Sequence, residues 1–364
     1  MYDIAIIGAG INGCATAHEL TQAGKRVIVF DKEGVASGGS GAAGAFISPK
    51  FSKSGELKEI LHDAFLYSMA FYETNFPKLF TKSKLLHIAH NEADDIALCA
   101  YKETTDLELL DLNDKRRESV SIYAGIVQAK DMCKALVKSA KFMQEEIRSL
   151  EYDDGTWVVN ETYSAKEVVL ATGAYKSLLN EPYIKLRGVW GHRIDVETKT
   201  ENPHSIHQFV SISPSKEGVL AIGATHNVHY HPQTALTPYD IAEGRAELLE
   251  KASRSIALED VKILKDYTGL RSGSFDYMPL VGSLVMSKET LQNKEINFFT
   301  KKPDFTKYSY YPHLTMINGS GGYGFVLAPY LAKILAEYIL GDKEISKRVQ
   351  PARFFARWAK KGKE

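Results

Sequence analysis

Three glycines near the start of the chain, Gly8, Gly10 and Gly13, have the spacing of a turn that binds a pyrophosphate. The first glycine permits a tight bend, the second lets phosphates approach the backbone, and the third lets helix and strand pack closely. Asp31 lies 18 residues after Gly13, close to the roughly 20 expected of an acid that accepts hydrogen bonds from a ribose. The glycines alone would also suit a surface turn, but together with the acid they predict a dinucleotide site, and the carboxylate disfavours NADP.

The elements that must position this turn are visible on both sides of it. Tyr2–Ile7 is an apolar run, Asn12–Ala23 has a helical pattern that ends at a glycine, and Lys25–Phe30 is a β-branched run. This order predicts a parallel, right-handed strand–helix–strand unit whose helix N-terminus faces a phosphate. The next segment, residues 34–44, is mostly Gly, Ser and Ala, and we interpret it as a loop held close to a ligand.

Two later segments resemble parts of a nucleotide site. Residues 168–173 (VVLATG) form an apolar strand that ends in a turn, and residues 319–324 (GSGGYG) precede an apolar helix. The plain alternatives are a buried strand ending in a turn for the first segment and a linker before a core helix for the second. A helix N-terminus aimed at a flavin pyrimidine would stabilise the negative charge that develops on reduction. NAD enzymes need no such third element, so the set points to FAD.

The remaining pattern predicts an α/β fold made of two interleaved domains. Further helices are predicted at Glu56–Tyr72, Lys130–Met143, Tyr239–Ser253 and Phe325–Leu340. Further strands are predicted at Ile147–Tyr152, Trp157–Val159, Val168–Ala171, Gly191–Val196, His207–Ile212, Val219–Ala224 and Leu314–Asn318. Nucleotide-type segments at the beginning, middle and end predict a discontinuous Rossmann-like domain, residues 1–78, 127–185 and 268–364. Residues 79–126 and 186–267 are expected to form a smaller α+β substrate domain on an antiparallel or mixed sheet.

Composition narrows the class of protein. The 364 residues are 44% apolar, with 45 basic and 45 acidic side chains and three cysteines. These values exclude a disordered chain and a small disulfide scaffold, and they argue against a surface that grips phosphates everywhere. The longest late apolar stretch, residues 325–340, contains Pro329, Lys333 and Glu337, so we expect a packed helix and a cytoplasmic protein.

Over essentially its whole length the chain resembles the D-amino acid oxidase and glycine oxidase superfamily of FAD-dependent oxidoreductases. The segments that carry this resemblance are GAGING, ASGGSGAAGAF, VVLATGAY, LRGVWG, AIGAT and GLRSGSFDYMPLVG, followed by the glycine-led terminal helix. Within the superfamily it is most similar to the FAD domain of the bifunctional tRNA wobble-uridine enzymes, the MnmC group, without their methyltransferase half. The fold implied is a Rossmann-like FAD-binding domain interleaved with the substrate domain.

The resemblance implies a set of cofactor contacts. The loop against the flavin matches Gly38 to Ala45, the adenine contact matches a strand position at Ile147, and the flavin edge matches Ser320 to Val326. The full set of expected FAD-binding residues is Gly8, Gly10, Ile11, Asn12, Gly13, Asp31, Lys32, Gly38, Gly39, Ser40, Ala43, Gly44, Ala45, Ile147, Thr172, Gly173, Ser320, Gly321, Gly322, Tyr323, Gly324, Phe325 and Val326. No residue matches the flavin-linking cysteine of sarcosine oxidases, so FAD is expected to bind non-covalently.

The resemblance also implies the catalytic residues Arg271 and Tyr323. Arg271, in GLRSG, matches the arginine that binds the substrate carboxylate, and a guanidinium can do so through two parallel hydrogen bonds. A surface salt bridge is the alternative for Arg271, and simple packing on the terminal helix is the alternative for Tyr323. Two substrate contacts of glycine oxidases are absent, because their second arginine falls on Gly322 and their tyrosine on Ser211. These departures leave space for a larger substrate.

Two other features raise different possibilities. His226, His229 and His231 suggest a metal site, but no paired acid or cysteine completes it, so we expect no metal and a loop near the substrate entrance. The tail from Ile345 is strongly basic and also carries aromatic residues that could dock it on the body. Its bases are Lys347, Arg348, Arg353, Arg357, Lys360, Lys361 and Lys363. The tail is therefore a candidate tRNA contact.

These features predict an FAD-dependent amine oxidoreductase of a secondary amine that carries a carboxymethyl group. The expected substrate is 5-carboxymethylaminomethyl-(2-thio)uridine at the tRNA wobble position, oxidised to the aminomethyl product plus glyoxylate, with dioxygen as acceptor. The cofactor carries the redox step, and no side-chain base is needed if the amine arrives unprotonated. The main alternative is an oxidase or dehydrogenase of free glycine, sarcosine or D-amino acids. A flavin-containing binding subunit is a second alternative.

Overall fold

The computed structural model describes residues 1–52, 54–175, 178–179 and 181–361. Its strands are β1 (Tyr2–Ile7), β2 (Val27–Asp31), β3 (Phe46–Ile47), β4 (Phe80–Ile88), β5 (Ser119–Val127), β6 (Lys141–Gln144), β7 (Leu150–Asp153), β8 (Thr156–Val159), β9 (Tyr163–Leu170), β10 (Leu186–Glu197), β11 (Ser205–His207), β12 (Ser211–Ile212), β13 (Val219–Gly223), β14 (Lys262–Ser274), β15 (Leu280–Val285) and β16 (Tyr310–Asn318). Its helices are α1 (Ile11–Gln22), α2 (Gly39–Ala42), α3 (Glu56–Asn75), α4 (Glu92–Thr104), α5 (Ala129–Val137), α6 (Ile241–Ser253), α7 (Ser287–Gln292), α8 (Gly324–Ile339) and α9 (Ala352–Lys360).

The first sheet, sheet A, has the order β15-β16-β9-β1-β2-β6, with β8 pairing β9 and β7 pairing β8. Its central strands are parallel, as the sequence predicts for β1 and β2. Ile4 and Ile6 belong to the core cluster that includes α1 and α8, whereas Ala5 and Ile7 belong to the cluster on the opposite side. Both faces of β1 are therefore buried, which explains its uninterrupted apolar sequence.

The second sheet, sheet B, has the order β14-β10-β13-β12-β11-β4-β5-β3. It is mixed, because β11 pairs in parallel with β4 while the other pairs are antiparallel. Leu248 and Ala252 of α6 pack on one face with Ile194 and Ile222. The α/β fold with a second, mixed sheet is confirmed. The predicted domain limits stay a prediction. Two segments predicted for the FAD-binding domain, β3 and the end of β14, pair with strands of sheet B.

Several predicted elements have different limits. The helix predicted at Lys130–Met143 is wrong beyond Val137, because residues 141–144 form β6 and pair in parallel with β2. The strand predicted at Ile147–Tyr152 begins only at Leu150, so Ile147 precedes it. The segment 34–44, interpreted as a loop, contains the short helix α2. Pairing with distant strands and packing against β14 decide these limits, and local sequence carries neither signal.

The C-terminal helix α9 docks on the body of the protein. Phe354 and Phe355 are buried in the cluster on the outer face of sheet A. Arg353 donates two hydrogen bonds to the carboxylate of Asp276, at 2.9 and 3.0 Å, and a third to the carbonyl of Met278 at 2.8 Å. Burial alone would raise the pKa of Asp276, but the hydrogen bonds and charge of Arg353 outweigh it and hold that pKa below its usual value. The tail therefore docks on the body of the protein through its aromatic residues, which is one of the possibilities that the sequence left open.

Two arginines of α9 reach the same carboxylate in unequal environments, which provides a matched pair of variants. The side chain of Arg353 is 10% exposed, whereas that of Arg357 is 65% exposed and its contact is 3.4 Å. Arg353→Ala should lower the free energy of unfolding by about 2–4 kcal/mol, since it leaves a nearly buried carboxylate with only the exposed Arg357 as a charged partner. Arg357→Ala should change it by less than about 0.5 kcal/mol. Urea unfolding of the FAD-loaded variants measures both.

The same pair has a defined pH dependence. The pKa of Asp276 is lower in the folded chain than its ordinary value of 3.8. The ionised carboxylate therefore adds to the free energy of unfolding above pH 3.8, and this contribution is lost as the pH falls through the folded-state pKa. The deficit of Arg353→Ala should therefore shrink in acid. Equal effects of the two arginine variants at neutral pH would contradict the docking described for α9.

Candidate functional site

A cavity of about 1320 Å³ lies where the carboxyl ends of the parallel strands of sheet A meet one face of sheet B. Gly8, Asp31, Ala171 and Gly319 line it just at or after the ends of β1, β2, β9 and β16. Open α/β sheets bind ligands at this edge. Drug-sized ligands occupy pockets of about 300–1,000 Å³, so this cavity has room for a dinucleotide together with a substrate.

The first glycine turn has the close backbone contacts that its motif requires. Gly8 has φ +108°, and a Cβ there would lie 2.8 Å from the carbonyl carbon of Ala171. A Cβ at Gly13 would lie 3.1 Å from the carbonyl carbon of Gly8. Gly13 therefore packs helix against turn and does not line the cavity, whereas Gly10, Ile11 and Asn12 do.

Asp31 has a second task that the sequence does not reveal. Its carboxylate accepts hydrogen bonds from the backbone N–H groups of Ala9 (2.9 Å), Glu33 (3.0 Å) and Gly34 (3.2 Å) and from the hydroxyl of Ser37. A carboxylate has about four acceptor positions, so the contacts that hold the turn occupy most of them. Asp31 thus organises both the glycine turn and the loop after β2, and it still lines the cavity.

The small helix α2 joins the cofactor edge to sheet B. A Cβ at Gly39 would lie 3.1 Å from the carbonyl carbon of Leu270, and one at Gly269 would lie 2.9 Å from the Cα of Gly39. Ser40 accepts a hydrogen bond from the N–H of Ile11 at 2.9 Å, at the start of α1. The segment predicted to lie against the flavin therefore touches both the phosphate-binding turn and the strand that carries Arg271.

The third glycine segment leads into α8 through a single 3-10 turn, Gly321–Tyr323. A Cβ at Gly321 or Gly322 would meet no atom within 4 Å, so these residues border open cavity. The Ser320 hydroxyl donates to the side-chain oxygen of Asn12 at 3.2 Å, which ties this turn to the first. The side-chain amide of Asn318 donates to the carbonyl of Gly173 at 2.9 Å and connects the same turn to the second motif. Sequence patterns do not reveal Asn318, because its role depends on three distant segments meeting.

The cavity brings together nearly all of the predicted cofactor residues. Besides those already described, the predicted residues on its wall are Lys32, Gly38, Ala43, Gly44, Ala45, Ile147, Thr172, Gly173, Tyr323, Gly324 and Phe325. Ile147 lines it from the segment before β7, which corrects its predicted strand position. Val326 does not line it, because the residue is buried in the core, where its carbonyl accepts a hydrogen bond from the Ser68 hydroxyl. Glycine turns bordering open space, a helix N-terminus and a cavity of this size fit FAD.

Arg271 faces the cavity from β14. A Cβ at Gly191 on β10 would lie 3.0 Å from the guanidinium carbon, so glycine leaves room for the head group there. Nη2 donates to the carbonyl of Thr225. Burial lowers the pKa of Arg271, and no carboxylate among the described residues pairs with it. Because even a partly buried cation without a counter-ion is unfavourable, this position on the cavity wall is suited to an anionic ligand. Among the described residues, Arg271 does not form the surface salt bridge that was considered for it.

Tyr323 also borders the cavity, between the third glycine turn and α8. Burial raises the pKa of Tyr323, so its hydroxyl is neutral at ordinary pH. Its ring packs against the core cluster of α1 and α8. Tyr323 therefore packs on the terminal helix and also borders the cavity, and its catalytic role stays a prediction.

Sequence reasoning missed several cavity residues that come from sheet B. The guanidinium of Arg187 lies 5.1 Å from the ring of Tyr277, which is 61% exposed at the mouth. Deeper in, His87 and His207 line the wall formed by β4 and β11. The parallel register between these strands places them side by side, although the two histidines are far apart in the chain.

The histidine segment and the cysteines have plain placements. Of the three histidines considered for a metal, His226 lines the cavity, and burial together with the charges of Arg271 and Arg187 lowers its pKa. Within the described ranges, no group of three or more His, Cys, Asp or Glu is arranged to hold a metal. The cysteines Cys14, Cys99 and Cys133 do not line the cavity.

The basic tail is partly engaged with the protein itself. Besides the pairs of Asp276, Arg348 pairs with Glu56 at 3.3 Å and Glu59 at 3.0 Å. Lys363 lies outside the described residues. Contact of this tail with tRNA stays a prediction. No helix in the described ranges has the length and apolar character that a bilayer span requires.

Comparison with known proteins identifies relatives over most of the chain. It is 28% identical over 386 aligned positions to the tRNA 5-methylaminomethyl-2-thiouridine biosynthesis bifunctional protein MnmC of Campylobacter concisus (strain 13826), covering 98% of this chain and 60% of that protein. The chain thus spans about three fifths of that relative's length. It is 26% identical to glycine oxidase of Bacillus subtilis (strain 168), covering 77% of this chain and 84% of that enzyme.

Solved structures and a family model agree with this result. The crystal structure of glycine oxidase from Bacillus cereus ATCC 14579 superimposes with a TM-score of 0.72 at 20% identity, covering 94% of this chain and 96% of that one. The model of the DAO family, described as FAD dependent oxidoreductase, matches residues 3–338. The chain is therefore a member of the DAO family of FAD-dependent oxidoreductases.

Proposed function

We propose that this enzyme oxidises a secondary amine that carries a carboxymethyl group, namely 5-carboxymethylaminomethyl-(2-thio)uridine at the wobble position of tRNA. The products are the aminomethyl nucleoside and glyoxylate. The observation that carries the proposal is the partly buried guanidinium of Arg271, which faces the cavity and lacks a carboxylate partner among the described residues. The name of the Campylobacter relative, which refers to tRNA thiouridine biosynthesis, supports the nucleoside.

Arg271 binds the carboxylate of the substrate. A guanidinium donates two parallel hydrogen bonds to a carboxylate and so sets the orientation of the adjacent methylene carbon. Gly191 leaves space for the head group, and the carbonyl of Thr225 accepts from Nη2 and restrains it. Binding and orientation of this kind lower the barrier because the reacting atoms are held in one geometry.

When bound, FAD supplies the oxidation by accepting a hydride from the carbon next to nitrogen. The substrate R–NH–CH2–COO⁻ thereby loses a hydride from carbon and a proton from nitrogen, giving the imine R–N=CH–COO⁻. Addition of water to the imine releases the amine R–NH2 and glyoxylate. The amine lone pair assists loss of hydride, so the chain needs only to bind the neutral amine and needs no side-chain base. Dioxygen is the proposed electron acceptor.

Oxidation of free glycine, sarcosine or a D-amino acid is the alternative. It is favoured by the relationship to glycine oxidase, of which this chain covers 84%. Against it, Ser211 and Gly322 both line the cavity and supply no large side chain to enclose a small amino acid. A small ligand depends on each of its few contacts, so the open cavity favours the larger substrate.

The proposed role of Asp31 in FAD binding predicts the flavin content of variants. Asp31→Ala removes a ribose acceptor and also the acceptor of three backbone N–H groups, so the purified protein should retain well under half of the wild-type flavin. Asp3→Ala is the control, because Asp3 bonds Arg26 at the other end of the same strand unit. The ratio of flavin to protein absorbance measures both. Full flavin in Asp31→Ala would remove Asp31 from the cofactor site.

The proposed role of Arg271 predicts a binding defect with flavin retained. Arg271→Ala should keep its FAD and raise KM strongly, because loss of a charge-assisted pair costs roughly 2–4 kcal/mol. Arg271→Lys keeps the charge without the bidentate geometry, so its KM should lie between that of the wild type and that of Arg271→Ala. Steady-state kinetics of flavin-loaded protein provides the comparison. Unchanged kinetics in Arg271→Ala would show that another group binds the carboxylate.

The proposed reaction is tested on tRNA that carries the carboxymethylaminomethyl nucleoside. Incubation with the FAD-loaded enzyme should convert that nucleoside to the aminomethyl form, with one glyoxylate per conversion, as seen by mass spectrometry of digested tRNA. Arg271→Ala at equal flavin content is the control. Unchanged tRNA, together with anaerobic bleaching of the flavin by free glycine at low millimolar concentration, would favour the alternative.

A further inference from the structure

The bend between β14 and β15 presents an exposed aromatic ring at the mouth of the cavity. Tyr277 is 61% exposed and lines the cavity, and Phe275, two residues earlier, is 58% exposed. The backbone of Tyr277 has φ +63°, in the left-handed region that bulky residues rarely adopt. Strain of this kind persists where surrounding contacts enforce it, and it concentrates at functional sites. The fold therefore holds this ring toward solvent at a conformational cost.

The contacts that enforce the bend all converge on Asp276. Its carboxylate accepts hydrogen bonds from the Ser274 hydroxyl at 3.1 Å and from the N–H of Met278 at 3.2 Å. Arg353 and Arg357 of α9 pair with the same carboxylate. The bend is thus fixed, and two cations balance its acid, so the acid does not oppose an anion that approaches Tyr277.

Two cations accompany the ring of Tyr277. The guanidinium of Arg187 on β10 lies 5.1 Å from its centroid, and Lys50 lines the same cavity. A hydrogen bond and the charge of Arg187, and to a smaller extent the charge of Lys50, lower the pKa of Tyr277, so both cations lie near its hydroxyl. We refer to Lys50, Arg187 and Tyr277 as the rim cluster.

The charges on the cavity wall are balanced only in part. Each carboxylate that lines the cavity already has a partner in the chain. These contacts join Asp31 to the N–H of Ala9, Glu33 to Lys32, Asp94 to the N–H of His90, Glu145 to Asn160 and Glu146 to Arg148. Among the lining cations, Lys50, Arg187 and Arg271 pair with no carboxylate in the described part of the chain. An anionic ligand is therefore complementary to the mouth as well as to the inner wall.

The two arginines form adjacent positions for anions. In the pairing of β10 with β14, Arg187 is opposite Gly273 and Val189 is opposite Arg271. Arg187 and Arg271 are therefore diagonal neighbours on one face of the sheet, with Cα atoms about 7–8 Å apart. Arg271 lies on the side of the cofactor edge, next to Leu270, whereas Arg187 lies beside the exposed ring. A ligand with two anionic groups can occupy both positions at once.

A pyrimidine nucleotide that is modified at C5 carries two anionic groups on one side of its base. In the usual anti conformation the C5–C6 edge of the base faces the 5′ carbon of the ribose, so a C5 carboxymethylaminomethyl group and the 5′-phosphate lie on the same side. With the carboxylate at Arg271, the phosphate points toward the mouth. Unpaired bases of single-stranded RNA stack on exposed aromatic rings, while cations neutralise the phosphates. A small dicarboxylic amine would match two cations but has no base to stack on Tyr277.

We propose that the rim cluster binds single-stranded RNA, with Arg187 and Lys50 on the phosphate of the nucleotide that enters the cavity and Tyr277 stacked on a neighbouring base. This inference rests on the proposed function for the identity of the nucleotide that enters. The rim cluster adds affinity only for a substrate that has a phosphate and a flanking base. It thereby distinguishes an amine carried by RNA from a free amino acid.

RNA binding by the FAD-loaded protein tests the rim cluster directly. The probe is a fluorescently labelled anticodon stem-loop of unmodified nucleotides, and its fluorescence anisotropy is measured over a range of salt concentrations. Arg187→Gln and Lys50→Gln should each weaken binding and make the slope of log affinity against log salt shallower by about 0.7, the value for one phosphate contact in a single strand. Tyr277→Ala should weaken binding about tenfold with the slope unchanged. Arg187→Lys should restore the slope, and Tyr277→Phe should restore the affinity.

A similar cation and ring elsewhere on the protein provide the controls. Lys82 lies 5.5 Å from the ring of Tyr123, which is 40% exposed, and neither residue lines the cavity. Lys82→Gln and Tyr123→Ala should leave both affinity and salt slope at the wild-type values. All variants are compared at equal flavin content. Wild-type affinity and slope in every rim-cluster variant would overturn the proposal, and so would equal losses in the control variants.

Kinetics with and without a phosphate separates the rim cluster from the proposed reaction. KM for 5-carboxymethylaminomethyluridine 5′-monophosphate should be about tenfold lower than KM for the nucleoside, and Arg187→Gln should abolish this difference. RNA binding that depends on the rim cluster, without turnover of either compound, would overturn the proposed reaction and support the rim cluster. Turnover of both compounds with equal KM, and RNA binding unaffected by the rim-cluster variants, would overturn the rim cluster alone. Turnover of iminodiacetate that Arg187→Gln impairs, with RNA binding intact in that variant, would assign Arg187 to a second carboxylate and overturn its role in RNA binding.

Discussion

A partly buried guanidinium that lacks a carboxylate within the described part of the chain is the constraint on which the site depends. Arg271 borders the open cavity, but its partial burial removes some of its hydration, which is unfavourable unless an anion compensates it. The fold keeps it in place through the carbonyl of Thr225 and the empty position at Gly191. The anionic group of the proposed substrate relieves this cost, and the sheet determines where that group is held.

Close contacts between backbones connect that cation to the cofactor edge. Gly39 of α2 lies against Leu270, the residue before Arg271, and Gly269 lies against Gly39. A side chain at either glycine would separate the two surfaces, and packed interiors do not absorb such an insertion without cost. The position of Arg271 relative to the cofactor edge is consequently set by rigid elements, which suits the proposed reaction because its rate depends on orientation.

Those parts of the fold that depend on neighbouring residues could be predicted from the sequence. The β1–α1–β2 unit and its glycine turn are local, and Asp31 is identified by its spacing from Gly13. In contrast, β6 exists because residues 141–144 pair with β2, whose strand lies far earlier in the chain. Arg271 came from resemblance to a family, and no spacing rule identifies it.

The wall of His87 and His207 shows the same limitation more strongly. Each histidine taken alone is an ordinary strand residue, and only the register of β4 against β11 puts the two rings next to each other, with centroids 6.4 Å apart. Likewise, the charges of the tail predict an exposed basic patch, whereas its partners Asp276, Glu56 and Glu59 are remote in sequence. Long-range pairing is the information that local patterns lack.

The anchoring of α9 has a mechanical consequence for entry to the site. Asp276, which receives Arg353, sits in the bend between β14 and β15 and also accepts from the Ser274 hydroxyl and the N–H of Met278. The next residue along, Tyr277, stands at the rim with Arg187. The last helix thus supports the rim of the cavity, and displacing it would loosen the entrance for the proposed tRNA substrate while leaving the cofactor-binding turns in place.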